Sequence, residues 1–268
     1  MAFSVDRLYG GDICFSLQPP KLILICGPCR VGTTALSVVF AGAGIEAHMQ
    51  PIKSARRARQ TGEDVVSWNI GVKKEKFAVA KETFGPHDQT EFFNPLEILL
   101  NLGYPKDKLI LIPIVRDPTQ TFSSWKEKWG VAKINRLVRA YELTVKIRNM
   151  AEQEGIFVFP YVHEAIKENH SAAVVAMLFE KLGLSMRQLS LALSVKWGEL
   201  KRIENVFLYD APPEKFIADI EKRGRYEYRD RSVSEGDKRL VESTPRLRAI
   251  YEAFYESSEA NLSLKAMC

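Results

Sequence analysis

Two short runs of residues carry the chemistry this sequence could do. The first is Gly27-Pro-Cys-Arg30-Val-Gly32-Thr33-Thr34, which follows the apolar run Lys21-Leu-Ile-Leu-Ile-Cys26. A buried strand that feeds a glycine-bearing turn and then a helix gathers backbone N–H groups and a helix dipole around an anion. Gly27 and Gly32 keep the spacing of a Walker A loop, yet Thr33 stands where that loop has its lysine. Enzymes of that type set the lysine on the terminal phosphates and the next hydroxyl on Mg²⁺. Here the cation of the loop is Arg30, ahead of Gly32, and two threonine hydroxyls follow. That set suits a phosphate held by N–H and O–H donors with the guanidinium at a bridging oxygen.

The second run is Arg116-Asp117-Pro118, at the end of the apolar Leu109–Val115, with Ser124 further on. Ligands of open parallel sheets bind at the carboxyl ends of strands. Pro118 suits the first turn of a helix, and Ser124 then lies about two turns along, on the side of the helix start. An arginine fork and a serine hydroxyl are a receptor for a second phosphate group. The pair of runs describes a clamp for a nucleotide with two separate phosphates.

Together the two segments resemble the sulfotransferase superfamily, which uses 3′-phosphoadenosine-5′-phosphosulfate (PAPS). Arg30-Val31-Gly32-Thr33-Thr34 matches its [KR]-x-G-T-T loop for the 5′-phosphosulfate. Arg116-Asp117-Pro118 through Ser124 matches its R-[DN]-P-x5-S element for the 3′-phosphate. The stretch Phe157–Lys167 and the helix ending at Leu184 are similar to the family's strand, Y-E-x-L segment and following helix, with His163 replacing the usual acidic neighbour. Tyr226–Arg231, with Arg225, Arg229 and Arg231, stands where members close a basic loop over the nucleotide, although the R-K-G triplet is absent. The likeness covers Lys21 to Leu184.

The resemblance implies PAPS as co-substrate, adenosine 3′,5′-bisphosphate (PAP) as product and no metal. It implies Arg30, Val31, Gly32, Thr33, Thr34, Arg116 and Ser124 as nucleotide ligands. Arg30 then faces the leaving group, and Lys81, after the strand Phe77–Ala80, takes the place of a second catalytic cation. The family draws its base from His or Glu. Glu82, beside Lys81 on a turn with Gly85 and Pro86, is the first choice, ahead of His48 and His87. Lys81 and Glu82 can share a site only if the strand ends before them. A small-molecule or glycan acceptor would sit among Lys53–Val72 and His87–Pro95. Two other readings stay open: a P-loop kinase with Asp117 as metal ligand, and a nucleotide-binding protein without catalysis.

These residues need a scaffold, and the hydrophobic pattern supplies one. Strands are predicted at Lys21–Cys26, Ile45–Met49, Phe77–Ala80, Leu109–Val115 and Ile156–Tyr161. Helices are predicted at Thr33–Ala43, Lys53–Arg59, Asn94–Gly103, within Ala132–Glu154, and at Ser171–Leu182. Alternating strands and helices argue one α/β domain over residues 1–268, a central parallel sheet flanked by helices in the P-loop-like sulfotransferase fold. Residues 1–20 read as a leader closed by Pro19-Pro20, and 185–268 as a helical C-terminal part.

Composition agrees with a globular protein, 46% hydrophobic and 26% charged. The net charge of +5 fits an anionic ligand but is too small to argue for nucleic acid. Cys26-x-x-Cys29 has no second pair, so a metal or redox motif is set aside. No signal-like run opens the chain and no apolar stretch reaches about 18 residues, so the expectation is a cytoplasmic protein without a membrane span. Arg56-Arg57-Ala-Arg59 could contact an anionic acceptor or form a solvated helix face, Trp125 and Trp129 read as core, and Asp210 with Pro212-Pro213 as a turn.

Overall fold

The structure is a computed structural model and describes residues 11–70, 76–87, 91–130, 133–168, 171–195, 205–209 and 226–262. Asp210, Pro212, Pro213 and Arg225 lie outside the described residues. In chain order the strands are β1 Ile13–Phe15, β2 Lys21–Pro28, β3 Glu46–Met49, β4 Trp68–Ile70, β5 Phe77–Phe84, β6 Leu109–Val115, β7 Phe157–Val158, β8 Tyr161–Val162 and β9 Val206–Leu208. The helices are α1 Thr33–Gly42, α2 Pro51–Thr61, α3 Pro95–Asn101, α4 Pro118–Trp129, α5 Ile134–Gln153, α6 Ala165–Glu168, α7 Ser171–Lys181, α8 Met186–Ser194, α9 Glu235–Glu242 and α10 Pro245–Leu262.

The main sheet runs β7–β6–β2–β5–β3–β9, with β8 also paired to β6, and every pair among the described strands is parallel. Strands β2 and β6 are the apolar runs, buried on both faces because helices cover both sides. From β2 the chain moves outward to β3, back to β5, then across β2 to β6. The direction of winding therefore reverses at the carboxyl end of β2, the place where such sheets bind ligands.

Pro113 is tolerated in the middle of β6 for a local reason. Phe159 N–H donates to Leu111 O and His163 N–H to Val115 O, so alternate residues of β6 face β7 and β8. Pro113 lies between them and faces the break between those two short strands, where a missing N–H costs no ladder bond. The single strand predicted at Ile156–Tyr161 is thus two strands around Phe159-Pro160.

Other expectations are corrected. The latter part of the leader is not free chain: β1 pairs in parallel with β4 in a separate two-stranded sheet. The C-terminal part is not wholly helical, since β9 extends the main sheet beyond β3. Strand β5 does not end at Ala80 but runs on to Phe84, in register with β2 as far as Pro28. The basic face of α2 is largely engaged: Lys53 and Arg57 pair with Glu91, Arg59 with Asp12, and Arg56 lies over the Phe93 ring. Trp125 is fully buried, as a core residue should be.

Candidate active site

The carboxyl end of β2 turns through Cys29–Gly32 into α1. Gly27 has to be glycine: a Cβ there would sit 2.0 Å from the Ile114 carbonyl oxygen of β6. Gly32 adopts φ +97°, and a Cβ on it would lie 2.5 Å from Nδ1 of His163. Arg30 holds φ 73°, a conformation that is costly for a non-glycine residue and collects at functional sites. Helix α1 starts without a side-chain cap and without an acidic residue in its first turn, so its N–H groups and dipole face the loop uncountered by charge. The loop is fixed from both sides. Cys29 N–H donates to Phe84 O at 3.0 Å and its Sγ to Gly85 O at 2.8 Å, while the Trp125 indole N–H donates to Cys29 O at 2.7 Å. Cys29 is therefore a structural thiol, and Cys26 beside it is buried, with its thiol pushed up by burial and then by Glu82.

The second run meets the first. Arg30 Nε donates to Ser124 Oγ at 3.1 Å, across 94 positions of sequence. Asp117 caps α4 by accepting from Gln120 N–H at 2.9 Å, and its own N–H is held by Glu164. Arg116 is buried; its guanidinium donates to Gln120 Oε1 at 3.2 Å and to Arg229 O at 2.6 Å, and stacks over Tyr228. Gln120 also clamps Arg231, accepting from its N–H at 2.8 Å and donating to its carbonyl at 3.3 Å. The segment 226–231 thus lies over the start of α4. The Arg231 guanidinium is pushed down by burial and then by the charges of Arg30 and Arg116. Arg231 is thus repelled by both Arg30 and Arg116, and three guanidiniums gathered beside an uncapped helix start make a receptor for anions.

Beyond Ala80 strand alternation continues, so Lys81 and Glu82 face opposite sides of β5. Lys81 Nζ donates to Gln50 Oε1 at 2.9 Å, and Thr83 Oγ1 to the same oxygen at 3.2 Å. Gln50 is buried, has φ 60°, and joins β3 directly to α2. Glu82 is fully buried on the other face, accepting from Ile52 N–H at 2.7 Å and Lys53 N–H at 3.3 Å, which caps α2. Burial pushes its carboxyl up to about 8, against the pull of the Ile52 N–H and of Lys81. His48 sits in an aromatic box, stacked on Phe207 at 4.8 Å, with Nδ1 bonded to Tyr209 Oη at 2.7 Å; burial lowers its pKa to about 4. His87 is exposed, its ring edge-on to Trp129 at 5.3 Å.

The structure therefore brings together Arg30, Ser124 and Arg116 with Thr33 and Thr34 at the helix start, whereas Lys81 lies within the adjoining strand β5, level with Ile25 of β2. Glu82 and Lys81, expected to share a site, are separated by the strand. Sequence reasoning missed Gln50, Gln120 and the seat of His163. Gln120 was within reach of it, four residues after Arg116 and on the same helical side. Gln50 and His163 carry no local signal, since their partners come from other strands.

No protein-family model matches the chain, and no curated protein matches it in sequence. Among solved structures the chain is similar to a mouse sulfotransferase, SULT7A1, determined in complex with PAP. The TM-score is 0.53 at 12% identity, over 94% of this chain and 95% of that one. The likeness shows the fold, a single α/β domain with a central parallel sheet flanked by helices, as in that sulfotransferase.

Proposed function

We propose that the chain is a PAPS-dependent sulfotransferase that moves a sulfuryl group to a hydroxyl or amine of a small-molecule or glycan acceptor. The observation that carries this reading is the bond from Arg30 to Ser124, which joins the two phosphate-binding runs into one site edged by Arg116 and Arg231. The repulsion of Arg231 by Arg30 and Arg116 is relieved by an anion with several charges, so the side chains present fit the nucleotide. The loop Arg30–Thr34 then holds the 5′ end, and Arg116 with Ser124 the 3′-phosphate.

The co-substrate supplies the sulfuryl group: its sulfur bonds to the acceptor oxygen as the bond to the 5′-phosphate breaks, leaving the electron pair on the bridging oxygen. Arg30 and Lys81 neutralise the charge that gathers there. Gln50 holds the Lys81 ammonium in place. The acceptor proton needs a base, and we assign that part to His87. Glu82 and His48 are sealed from solvent, whereas His87 is exposed and linked through Trp129 and Trp125 to the phosphate loop. Imidazole is the side chain most often used for such a transfer. The same reading places the protein in the cytoplasm. No described helix is long and apolar enough to cross a membrane.

A second reading, a nucleotide-binding protein without catalysis, is favoured by one observation. Of the groups expected to act as the base, Glu82 and His48 are both buried. Calorimetric titration with PAP, together with transfer of labelled sulfate from PAPS to a panel of acceptors, separates the two. PAP should bind, and Arg116→Ala should weaken it by about ten- to a hundredfold, the order of a charge-assisted hydrogen bond. Absence of PAP binding defeats both readings, while binding without transfer to any acceptor selects the second.

A further inference from the structure

A cleft of about 550 Å³ opens between α2, residues 92–98 and α5, lined among others by Arg56, Phe92, Phe93, Arg139 and Lys146. Its volume is that of a small-molecule site. Two guanidiniums lie over its rings, Arg139 at 4.5 Å from the Phe92 centroid and Arg56 at 5.0 Å from that of Phe93. A guanidinium stacked on a ring stays planar and weakly hydrated, which suits it to a planar anion. Arg139 and Lys146 are two turns apart on α5 and so share a face. Two carboxylates, Glu97 and Glu142, also line the cleft beside the three cations Arg56, Arg139 and Lys146, and Glu142 is paired to Arg246 at 2.6 Å.

The cleft adjoins the site described above. Phe93 packs edge-on against Phe84, the last residue of β5, with centroids 6.1 Å apart. Phe84 O is the acceptor for Cys29 N–H of the phosphate loop, and a Cβ on Gly85 would touch both Trp125 and Phe92. Cleft wall and phosphate loop are thus built on the same strand end.

We propose that this cleft holds the acceptor, and that the acceptor is an aromatic molecule with an anionic substituent. The ring packs beside Phe92 and Phe93 with their guanidiniums, and the anion meets Arg139 and Lys146. The inference rests on the sulfotransferase reading and names its substrate class.

The test compares 2-naphthol with 6-hydroxy-2-naphthoate, two fluorescent probes that differ in one carboxylate, titrated into the full chain with and without PAP. The naphthoate should bind about tenfold more tightly, the order that one charge-assisted contact supplies, and the margin should shrink in high salt. Arg139→Gln with Lys146→Gln, both at exposed positions, should abolish the margin while PAP affinity stays at its wild-type value. Equal binding of the two probes, or a margin that survives the double substitution, overturns the proposal. PAP that fails to bind while the margin holds defeats the sulfotransferase reading and leaves a cleft for anionic aromatics.

Discussion

Glu82 shows how far one side chain can differ from what its neighbours in sequence suggest. Beside Lys81 and near a Gly-Pro turn it reads as an exposed catalytic base, yet it is fully buried and caps α2 through two backbone N–H groups. Its carboxyl is pushed by burial up to about 8 from an ordinary 4.5. Between those values the folded chain keeps a proton that the unfolded chain gives up, so folding stability must fall as pH rises through that window. The steepest loss is about 1.4 kcal/mol per pH unit. Glu82→Gln copies the protonated acid and removes the slope. Melting curves should therefore coincide near the acid end of the window and separate in favour of the variant toward its alkaline end, by about 2–4 °C of Tm per kcal/mol. Transfer activity should stay near wild type. A variant that melts in parallel with wild type at every pH, or that loses activity while folded, would return Glu82 to the chemistry.

At the scale of elements, the sequence made the strands legible wherever burial is two-sided. The runs Leu22–Cys26 and Leu109–Val115 are uninterrupted apolar stretches, and both are central strands. What local pattern could not show was the length of β5, because Lys81, Glu82 and Thr83 are polar yet buried. Each is matched by a partner from another element: Gln50 for Lys81 and Thr83, the start of α2 for Glu82. Polar residues satisfied over long range look like a strand end when read alone. The same strand ends determine why Gly27 cannot change. Its hypothetical Cβ stands 2.0 Å from the Ile114 carbonyl, and backbone of a central strand cannot yield as a flexible side chain can. Gly27→Ala should force β2 from β6 and cost more than about 3 kcal/mol, at the severe end of overpacking. Denaturant unfolding measures it, and a loss below about 1 kcal/mol would mean that β2 and β6 are not so closely paired at this point.

Across the whole molecule the anion site depends on parts that are far apart in sequence, and the two motifs alone do not contain it; the segment Tyr226–Arg231 entered the sequence reading only through the family resemblance. Arg30 and Arg116 stood in recognisable runs, but Arg231 reaches them from 111 positions beyond Gln120, through bonds made by its backbone. That mode of anchoring makes Arg231→Ala a clean probe. The segment keeps both bonds to Gln120, while the guanidinium and its exposed pairing with Glu127 are lost. An exposed ion pair contributes at most about 1 kcal/mol, and removal of a charge that repels Arg30 and Arg116 acts in the opposite direction. The ligand-free variant should therefore melt close to wild type. With PAP the two should part, because the variant lacks one of three cations for the anion. A tenfold loss of affinity lowers the stabilisation by saturating PAP by about 1.4 kcal/mol. The dependence of PAP affinity on salt should flatten as well, since screening has one charge fewer to act on. Melting with and without PAP at two salt concentrations reads both effects. An unchanged shift at low salt would mean that segment 226–231 lies over the site without holding its ligand.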